Sequence, residues 1–218
     1  MKTNLPTLPC PWKFPRGSAR AGSAFVLNVR KHYSLTLPAE LITESLILDE
    51  LSPSGLRWKF RPKHLFKDDH YWKIGNRLVG KRAGTIANCS GKKYWRVGIG
   101  GRSFYGHRIV WFLANGFDPC EKLIDHRNIN GLDNSISNLR LASNSENMCN
   151  SGMRANCTTG FKGVHFYKRT GKYVAYIHVN NKFVNLGYFR SAIEAAKAYD
   201  LAAQHHYGDF ARLNITEQ

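Results

Sequence analysis

The sequence has 218 residues, of which 43% are hydrophobic, so it can bury one large or two small cores and is not a disordered chain by composition. Lysine and arginine outnumber aspartate and glutamate by 32 to 15, which gives a formal net charge of +17. Such a charge indicates a polyanionic partner, and because no apolar run reaches the length of a membrane span, nucleic acid is favoured over an anionic membrane.

The first 37 residues form a basic segment that contains prolines. They include six lysines or arginines, no aspartate or glutamate, and four prolines between Pro6 and Pro15. Prolines at this density oppose helix formation and predict an extended arm. Two interpretations stay open: the arm follows DNA phosphates, or it is a solvated tail.

The next segment is predicted to contain one helix and several short strands. Four apolar residues at helical spacing predict a helix over residues 39–50, namely Leu41, Ile42, Leu46 and Leu48. The elements predicted after it are a turn at 52–55, a strand at 56–60, a loop at 64–81, and strands at 83–87, 93–99 and 102–105.

A second helix is predicted over residues 107–115. Its apolar face consists of Ile109, Val110, Phe112 and Leu113, and Gly116 follows as a stop signal. Arg108 lies on this helix and is a candidate phosphate contact.

The stretch from Asp125 to Asn147 concentrates the residue types that carry chemistry. Asp125 and His126 are adjacent, Asn138 follows His126 by 12 positions, and Asn147 follows Asn138 by nine. Glycine, aspartate and asparagine crowd the residues between them, which predicts a loop. Neutral imidazole suits proton transfer near pH 7, and carboxylate and amide oxygens are ligands for Mg²⁺ or Mn²⁺.

Two other interpretations compete for this stretch. Ser143 or Asn144 could cap a helix and have no further role. The residues from His126 are similar to the start of an EF-hand calcium loop, but the first position is His rather than Asp. The twelfth position is Ser137, where a calcium loop needs a bidentate Glu, so the calcium interpretation fails.

The order and spacing of these residues resemble those of the HNH endonucleases, in which a ββα unit holds one divalent metal ion over the scissile phosphate. The resemblance implies that the catalytic residues are His126, as general base, and Asn138, whose amide ties the loop to backbone groups. It also implies that Asp125 and Asn147 hold Mg²⁺ or Mn²⁺. Arg140 joins Arg108 as a candidate DNA contact.

The composition changes after Asn147. No acidic residue occurs again until Glu194, whereas seven lysines or arginines do. Residues 151–159 are predicted as a linker, followed by strands at 162–167, 173–179 and 183–189 with turns at Thr170-Gly171 and Asn180-Asn181. Ser191 and Glu194 form a capping box that opens a helix ending near Gly208.

Residues 160–214 resemble the plant AP-two (ethylene-response-factor) DNA-binding domain. The matches include Gly163-Val164, Gly171-Lys172-Tyr173, Leu186-Gly187-Tyr188-Phe189 and Ala198-Tyr199-Asp200. Period-two alternation predicts one face of the sheet against the helix, formed by Val164, Ala175, Ile177, Val184 and Leu186. In that family the sheet lies in the major groove.

The opposite face and the rim of this sheet are the predicted DNA contacts. They comprise Lys162, His165, Tyr167, Arg169, Lys172, Tyr176, His178 and Asn185. The plant proteins present several arginines where this chain has Tyr, His and Asn, so their base preference does not carry over. The alternative is a basic sheet that only neutralises phosphate.

These patterns predict an α+β protein with four parts: a basic arm at 1–37, a ββα-metal HNH endonuclease domain at 38–150, a linker at 151–159, and a three-stranded antiparallel sheet packed on one helix at 160–218. The combination resembles HNH homing endonucleases with a C-terminal AP-two domain, often carried by phages and mobile introns. Five cysteines without a Cys-x-x-Cys pair predict reduced thiols rather than a zinc ribbon or a disulfide framework.

The expected partner is double-stranded DNA, with no membrane and no protein partner implied. The expected location is the cytoplasm of a bacterial host during phage infection. The alternative function is a non-catalytic DNA-binding regulator that keeps the HNH fold as a scaffold.

Overall fold

The structure is a computed structural model that describes residues 36–153, 156–179 and 182–215. Nearly all of the predicted basic arm, and the predicted Asn180-Asn181 turn, lie outside these residues. The described residues all belong to one compact unit. No helix among them is long and apolar enough to cross a membrane.

The first described elements correct the prediction of a helix over 39–50. Helix α1 (Ala39–Ser45) stops early, and β1 (Leu46–Leu48) pairs antiparallel with β2 (Leu56–Trp58). Leu46 is buried, while Ile47 and Leu48 are 53% and 37% exposed, so pairing with β2 rather than alternating burial defines this strand. The helical prediction failed because three consecutive apolar residues fit either period.

The predicted loop at 64–81 is also wrong in part, because it contains helix α2 (Asp69–Asn76). The Asp68 carboxylate caps this helix by accepting a hydrogen bond from the backbone N–H of Tyr71 at 3.0 Å. An Asp in this position is a recognised helix-start signal, so the start of this helix could have been predicted from the sequence.

A three-stranded antiparallel sheet and a helix form the centre of the first core. The strands are β3 (Thr85–Cys89), β4 (Lys92–Ile99) and β5 (Arg102–Tyr105), in that spatial order. Helix α3 (Gly106–Asn115) follows and ends at Gly116, whose φ of 77° is left-handed. The predicted helix is confirmed, and its apolar face buries Ile109, Val110 and Phe112.

A hairpin and a short helix pack against this core. Strands β6 (Leu123–His126) and β7 (Leu139–Ala142) pair antiparallel, and α4 (Asn144–Cys149) contacts both of them. Ser143 and Glu146 form a capping box at the start of α4. Leu139 is buried in the first core, so the hairpin is anchored to the sheet and helix before it.

The C-terminal module, defined as residues 160–215, has its own core. Strands β8 (Val164–Tyr167), β9 (Lys172–Val179) and β10 (Lys182–Phe189) form an antiparallel sheet with β9 in the middle. Helix α5 (Ala192–Tyr207) covers one face. Val164, Ala175 and Ile177 are buried against it, as the alternation predicted, whereas Val184 on the edge strand is 41% exposed.

The two cores contain different parts of the chain. One takes its buried residues from Leu37 to Leu139 and the other from Val164 to Ala203. Helices α4 and α5 contact each other, so the C-terminal module packs beside the β6–β7 hairpin. The division at residues 151–159 stays a prediction.

Candidate functional site

Asp125 and His126 are the last two residues of strand β6 and are both buried. In the register of the hairpin, Asp125 lies opposite Arg140 and His126 opposite Leu139. A carboxylate and an imidazole, adjacent in sequence and removed from bulk water, therefore lie at one end of the hairpin.

The Asp125 carboxylate is held by two neighbouring side chains. Its Oδ2 accepts a hydrogen bond from Nε of Arg140 at 2.8 Å and forms an ion pair with Nη2 of the same guanidinium, also at 2.8 Å. Nδ2 of Asn150 lies 2.9 Å from both carboxylate oxygens and also donates to the backbone carbonyl of His126 at 2.8 Å. Of these two side chains, Oδ1 contacts Asn150, whereas Oδ2 contacts both Arg140 and Asn150. Oδ1 therefore retains the capacity to accept a further contact.

The His126 imidazole is oriented by Asn134. Nδ2 of Asn134 donates to the backbone carbonyl of Ser54 at 2.9 Å, which directs its Oδ1 toward Nε2 of His126 at 3.3 Å. Because an amide oxygen only accepts, Nε2 carries the proton and Nδ1 has the free lone pair. This tautomer can accept a proton at Nδ1.

Burial lowers the pKa of His126 below its ordinary value, against the opposing effects of the Asn134 hydrogen bond and the Asp125 charge. The imidazole is therefore neutral at pH 7, the form required of a general base. His107 lies beside it with the two rings perpendicular and 5.0 Å apart. Burial, followed by His126, lowers the pKa of His107 well below its ordinary value.

Asn138 closes the loop between the two strands. Its Oδ1 accepts from the backbone N–H of Asn128 at 3.0 Å, and its Nδ2 donates to Oδ1 of Asn128 and to the carbonyl of Asp133, at 3.0 and 2.8 Å. The backbone N–H of Arg127 donates to the Asn138 carbonyl at 2.9 Å. These bonds connect Asn138 to the residues that follow His126 and set the shape of the loop.

Asn147 lies on α4 with its side chain exposed. The structure does not bring it into the hydrogen-bond network around Asp125; Asn150, three residues later, occupies that position. Sequence reasoning missed Asn150. Asn150 is the residue directly after the last residue of α4, and its burial against Asp125 and His126 is set by how that helix packs on the hairpin.

The Asp125 carboxylate is a hard oxygen donor of the kind that Mg²⁺ or Mn²⁺ takes. Among the described residues there is no group of three or more His, Cys, Asp or Glu side chains that could hold a metal. Oδ1 of Asp125 retains acceptor capacity, while Asn147 is exposed on the neighbouring helix and makes no hydrogen bond to Asp125. A single carboxylate would leave most of a coordination shell to water and phosphate, as Mg²⁺ prefers.

Three predicted DNA contacts have partners inside the protein. Arg108 is ion-paired with Asp118, Arg140 is 7% exposed and bound to Asp125, and Nζ of Lys162 donates to the carbonyls of Cys149 and Ser151. Their charged groups are therefore bound within the protein. Their charges looked free in the sequence because their partners are distant along the chain.

The remaining predicted DNA contacts lie on or beside the outer face of the C-terminal sheet. The exposed ones are His165, Tyr167, Arg169, Lys172, His178 and Asn185, and Tyr176 is partly buried among them. Phe183, 79% exposed, and Tyr188 also belong to this face, with ring centroids 4.8 Å from His178 and 6.1 Å from Tyr167 respectively.

Sequence reasoning missed both of these aromatics. Phe183 was recoverable from alternation, since it stands two positions before Asn185. Tyr188 was not, because a bulge between Asn185 and Gly187 shifts the pairing and exchanges the faces after it.

Comparison with known proteins places this site in a recognised family. Residues 104–149 match the family model described as HNH endonuclease. An uncharacterized HNH endonuclease of Acanthamoeba polyphaga mimivirus is 29% identical over 152 residues, covering 63% of this chain and 79% of that protein. Protein 3.8 of Escherichia phage T7 is 31% identical over 106 residues, covering 49% of this chain and 87% of that protein. No solved structure matches.

Proposed function

The chain belongs to the family of proteins that carry an HNH endonuclease domain, and from that premise we propose that it hydrolyses phosphodiester bonds of double-stranded DNA with one divalent metal ion, Mg²⁺ or Mn²⁺. The observation that carries the proposal is the state of the Asp125–His126 pair. The carboxylate is fixed by Arg140, whereas the imidazole beside it, whose pKa burial lowers, directs Nε2 at Asn134.

Each member of the pair has one role in this proposal. His126 accepts the proton of the attacking water at Nδ1, the nitrogen that Asn134 leaves unprotonated. Asn138 keeps the loop after His126 in shape through its three side-chain hydrogen bonds. Asp125 and Asn147 would hold the metal ion through carboxylate and amide oxygens. When bound, such an ion neutralises charge on the phosphate and on the departing oxygen.

The C-terminal module anchors the nuclease on DNA in this proposal. Arg169 and Lys172 supply positive charge at one end of the sheet, and the tyrosines, histidines and Phe183 supply a flat aromatic surface. Resemblance to the AP-two domain and the net charge of +17 support duplex DNA as the ligand. The pairing of a nuclease with such a module supports a homing-type enzyme, and the T7 relative supports a location in the phage-infected host cell.

The first test separates the nuclease from a non-catalytic DNA-binding regulator. Purified protein is incubated with phage and host genomic DNA in the presence of Mg²⁺, Mn²⁺ or EDTA. We expect discrete cleavage with either metal and none with EDTA, because the ion is needed to neutralise the phosphate charge. Binding without cleavage of any DNA, in any divalent metal, would establish the regulator instead.

The second test addresses the C-terminal sheet. Replacing Arg169 and Lys172 together with glutamine should make the log–log salt dependence of DNA binding shallower by about 0.9 for each phosphate that the protein no longer neutralises. The matched control is Lys197→Gln, since Lys197 is an exposed lysine on α5, the helix that covers the opposite face of the sheet. Binding is measured by fluorescence anisotropy in EDTA. An equal slope for the double variant and wild type would show that this end of the sheet does not contact phosphate.

A further inference from the structure

The C-terminal module contacts the side chain that holds Asp125. Arg140 uses Nε and Nη2 for Asp125, and its third nitrogen, Nη1, donates to the backbone carbonyl of Asp209 at 2.6 Å. The guanidinium carbon lies 3.8 Å from the centre of the Phe210 ring. One buried guanidinium is thus shared between the β6–β7 hairpin and a segment 69 residues further along the chain.

The segment that reaches Arg140 is a short 3₁₀ turn, Gly208–Phe210, directly after helix α5. Gly208 has φ +51° and ψ −125°, a conformation that side-chain-bearing L residues rarely adopt. This conformation of Gly208 lets the Asp209 carbonyl and the Phe210 ring contact the same guanidinium, that of Arg140. An aromatic face and a carbonyl oxygen both attract a cation, so the turn complements the charge of Arg140.

The same module also contacts the helix that bears Asn147. Nζ of Lys162 donates to the carbonyls of Cys149 and Ser151, at the C-terminal end of α4. Helix α4 has only six residues, so these contacts lie within two turns of Asn147. The module therefore contacts helix α4, which bears Asn147, and strand β7, whose Arg140 bonds Asp125.

We propose that Arg140 is a positioning residue for Asp125 and that Asp209 and Phe210 hold it in place, so that the C-terminal module is a working part of the nuclease site as well as its anchor on DNA. The inference rests on the proposed function. Arginine presents its nitrogens in a rigid planar fork, so fixing one side of the plane fixes the direction from which the other side approaches the carboxylate. Without the turn, the guanidinium would gain rotational freedom and a water-exposed face.

The test uses single substitutions in the full-length chain. Phe210→Ala removes the ring over Arg140, and Arg140→Lys removes the fork but keeps the charge. Loss of a group that orients a metal ligand typically costs roughly 10–100-fold in metal affinity or activity. We therefore expect both variants to lower the single-turnover cleavage rate at saturating DNA by about 10–100-fold and to raise the half-saturating Mg²⁺ concentration. DNA affinity in EDTA should stay within about twofold of wild type, because neither group belongs to the proposed DNA surface.

Three controls keep the outcome interpretable. Leu201→Ala removes an exposed apolar side chain from α5 and should leave the rate unchanged. Phe210→Tyr keeps the ring over the guanidinium and should restore most of the cleavage rate that Phe210→Ala removes. The ¹H–¹⁵N resonance of Arg140 Nε, identified by its absence in Arg140→Lys, should shift in Phe210→Ala and return in Phe210→Tyr, which reports the contact independently of activity.

The possible results separate the two proposals. If wild type cleaves DNA and Phe210→Ala matches it in both the saturated rate and the half-saturating Mg²⁺ concentration, the positioning role is refuted and the nuclease remains. A Phe210→Ala variant that loses thermal stability or DNA affinity but keeps both of these values likewise refutes the role, since the contact is then only structural. If wild type never cleaves DNA, the proposed function fails and the positioning role fails with it.

Discussion

Alanine at His126 should lower the cleavage rate by roughly 10²–10⁴, the usual contribution of a positioned general base. The variant removes the imidazole of the Asp125–His126 pair, while the Arg140 and Asn150 contacts of the carboxylate do not involve that ring. DNA affinity should barely change, because the His126 imidazole is not one of the proposed DNA contacts. The measurement is the single-turnover rate on a cleaved duplex with saturating Mg²⁺, alongside anisotropy in EDTA.

A histidine far from the pair is the matched control for this experiment. His64 is exposed and bonded to Glu44 at 3.0 Å, so His64→Ala should cleave at the wild-type rate. The pH profile adds a second readout: because burial lowers the pKa of His126, the pH at which the wild-type rate falls to half should lie below the ordinary histidine value of 6.5. If His126→Ala cuts as fast as wild type, the base is another group.

Alanine at Asn147 should abolish nearly all cleavage with Mg²⁺. The expected loss exceeds the roughly 10–100-fold cost of removing a group that only orients a ligand, because one of two protein oxygens on the ion would be gone. Asn147→His should keep some activity and shift its preference toward Ni²⁺, Co²⁺ or Zn²⁺, since imidazole suits these softer ions. The measurement is cleavage rate against metal identity for wild type and both variants.

The control for Asn147 lies on the same helix. Asn144 is also an exposed asparagine of α4, so Asn144→Ala should cleave like wild type with every metal. Wild-type activity of Asn147→Ala with Mg²⁺ would show that Asn147 is an ordinary helix residue. Asn150, which already bonds the Asp125 carboxylate, would then be the first amide to test in its place.

The sequence alone determined the elements whose signals are local. The apolar face of α3 with Gly116 after it, the Ser191 cap at the start of α5, and the alternation in β8 and β9 each lie within a few consecutive residues. The crowding of glycine, aspartate and asparagine after His126 likewise predicted a loop, whereas the role of the Asn138 amide in that loop came from the resemblance to HNH endonucleases. Such features depend on backbone periodicity and short-range hydrogen bonds, which the order of residues specifies directly.

The tertiary structure was needed to decide which way some side chains face and where some helices and strands end. Three apolar residues at 46–48 fit a helix or a strand, and only pairing with β2 selected the strand. The bulge before Gly187 moved Tyr188 onto the outer face of the sheet. In both cases the deciding hydrogen bonds come from another strand, so a window on one segment does not contain them.

The partners of the site residues were decided only by the docking of distant surfaces. Arg140 looked like a free phosphate contact, yet it bonds Asp125, 15 positions before it, and the Asp209 carbonyl, 69 positions after it. Asn134 orients His126 only because it also reaches Ser54, 80 positions earlier. The sequence does not show whether a charged or amide side chain bonds to water or to a partner inside the protein. A buried side chain needs such a partner, and burial is decided only when the helices and strands pack together.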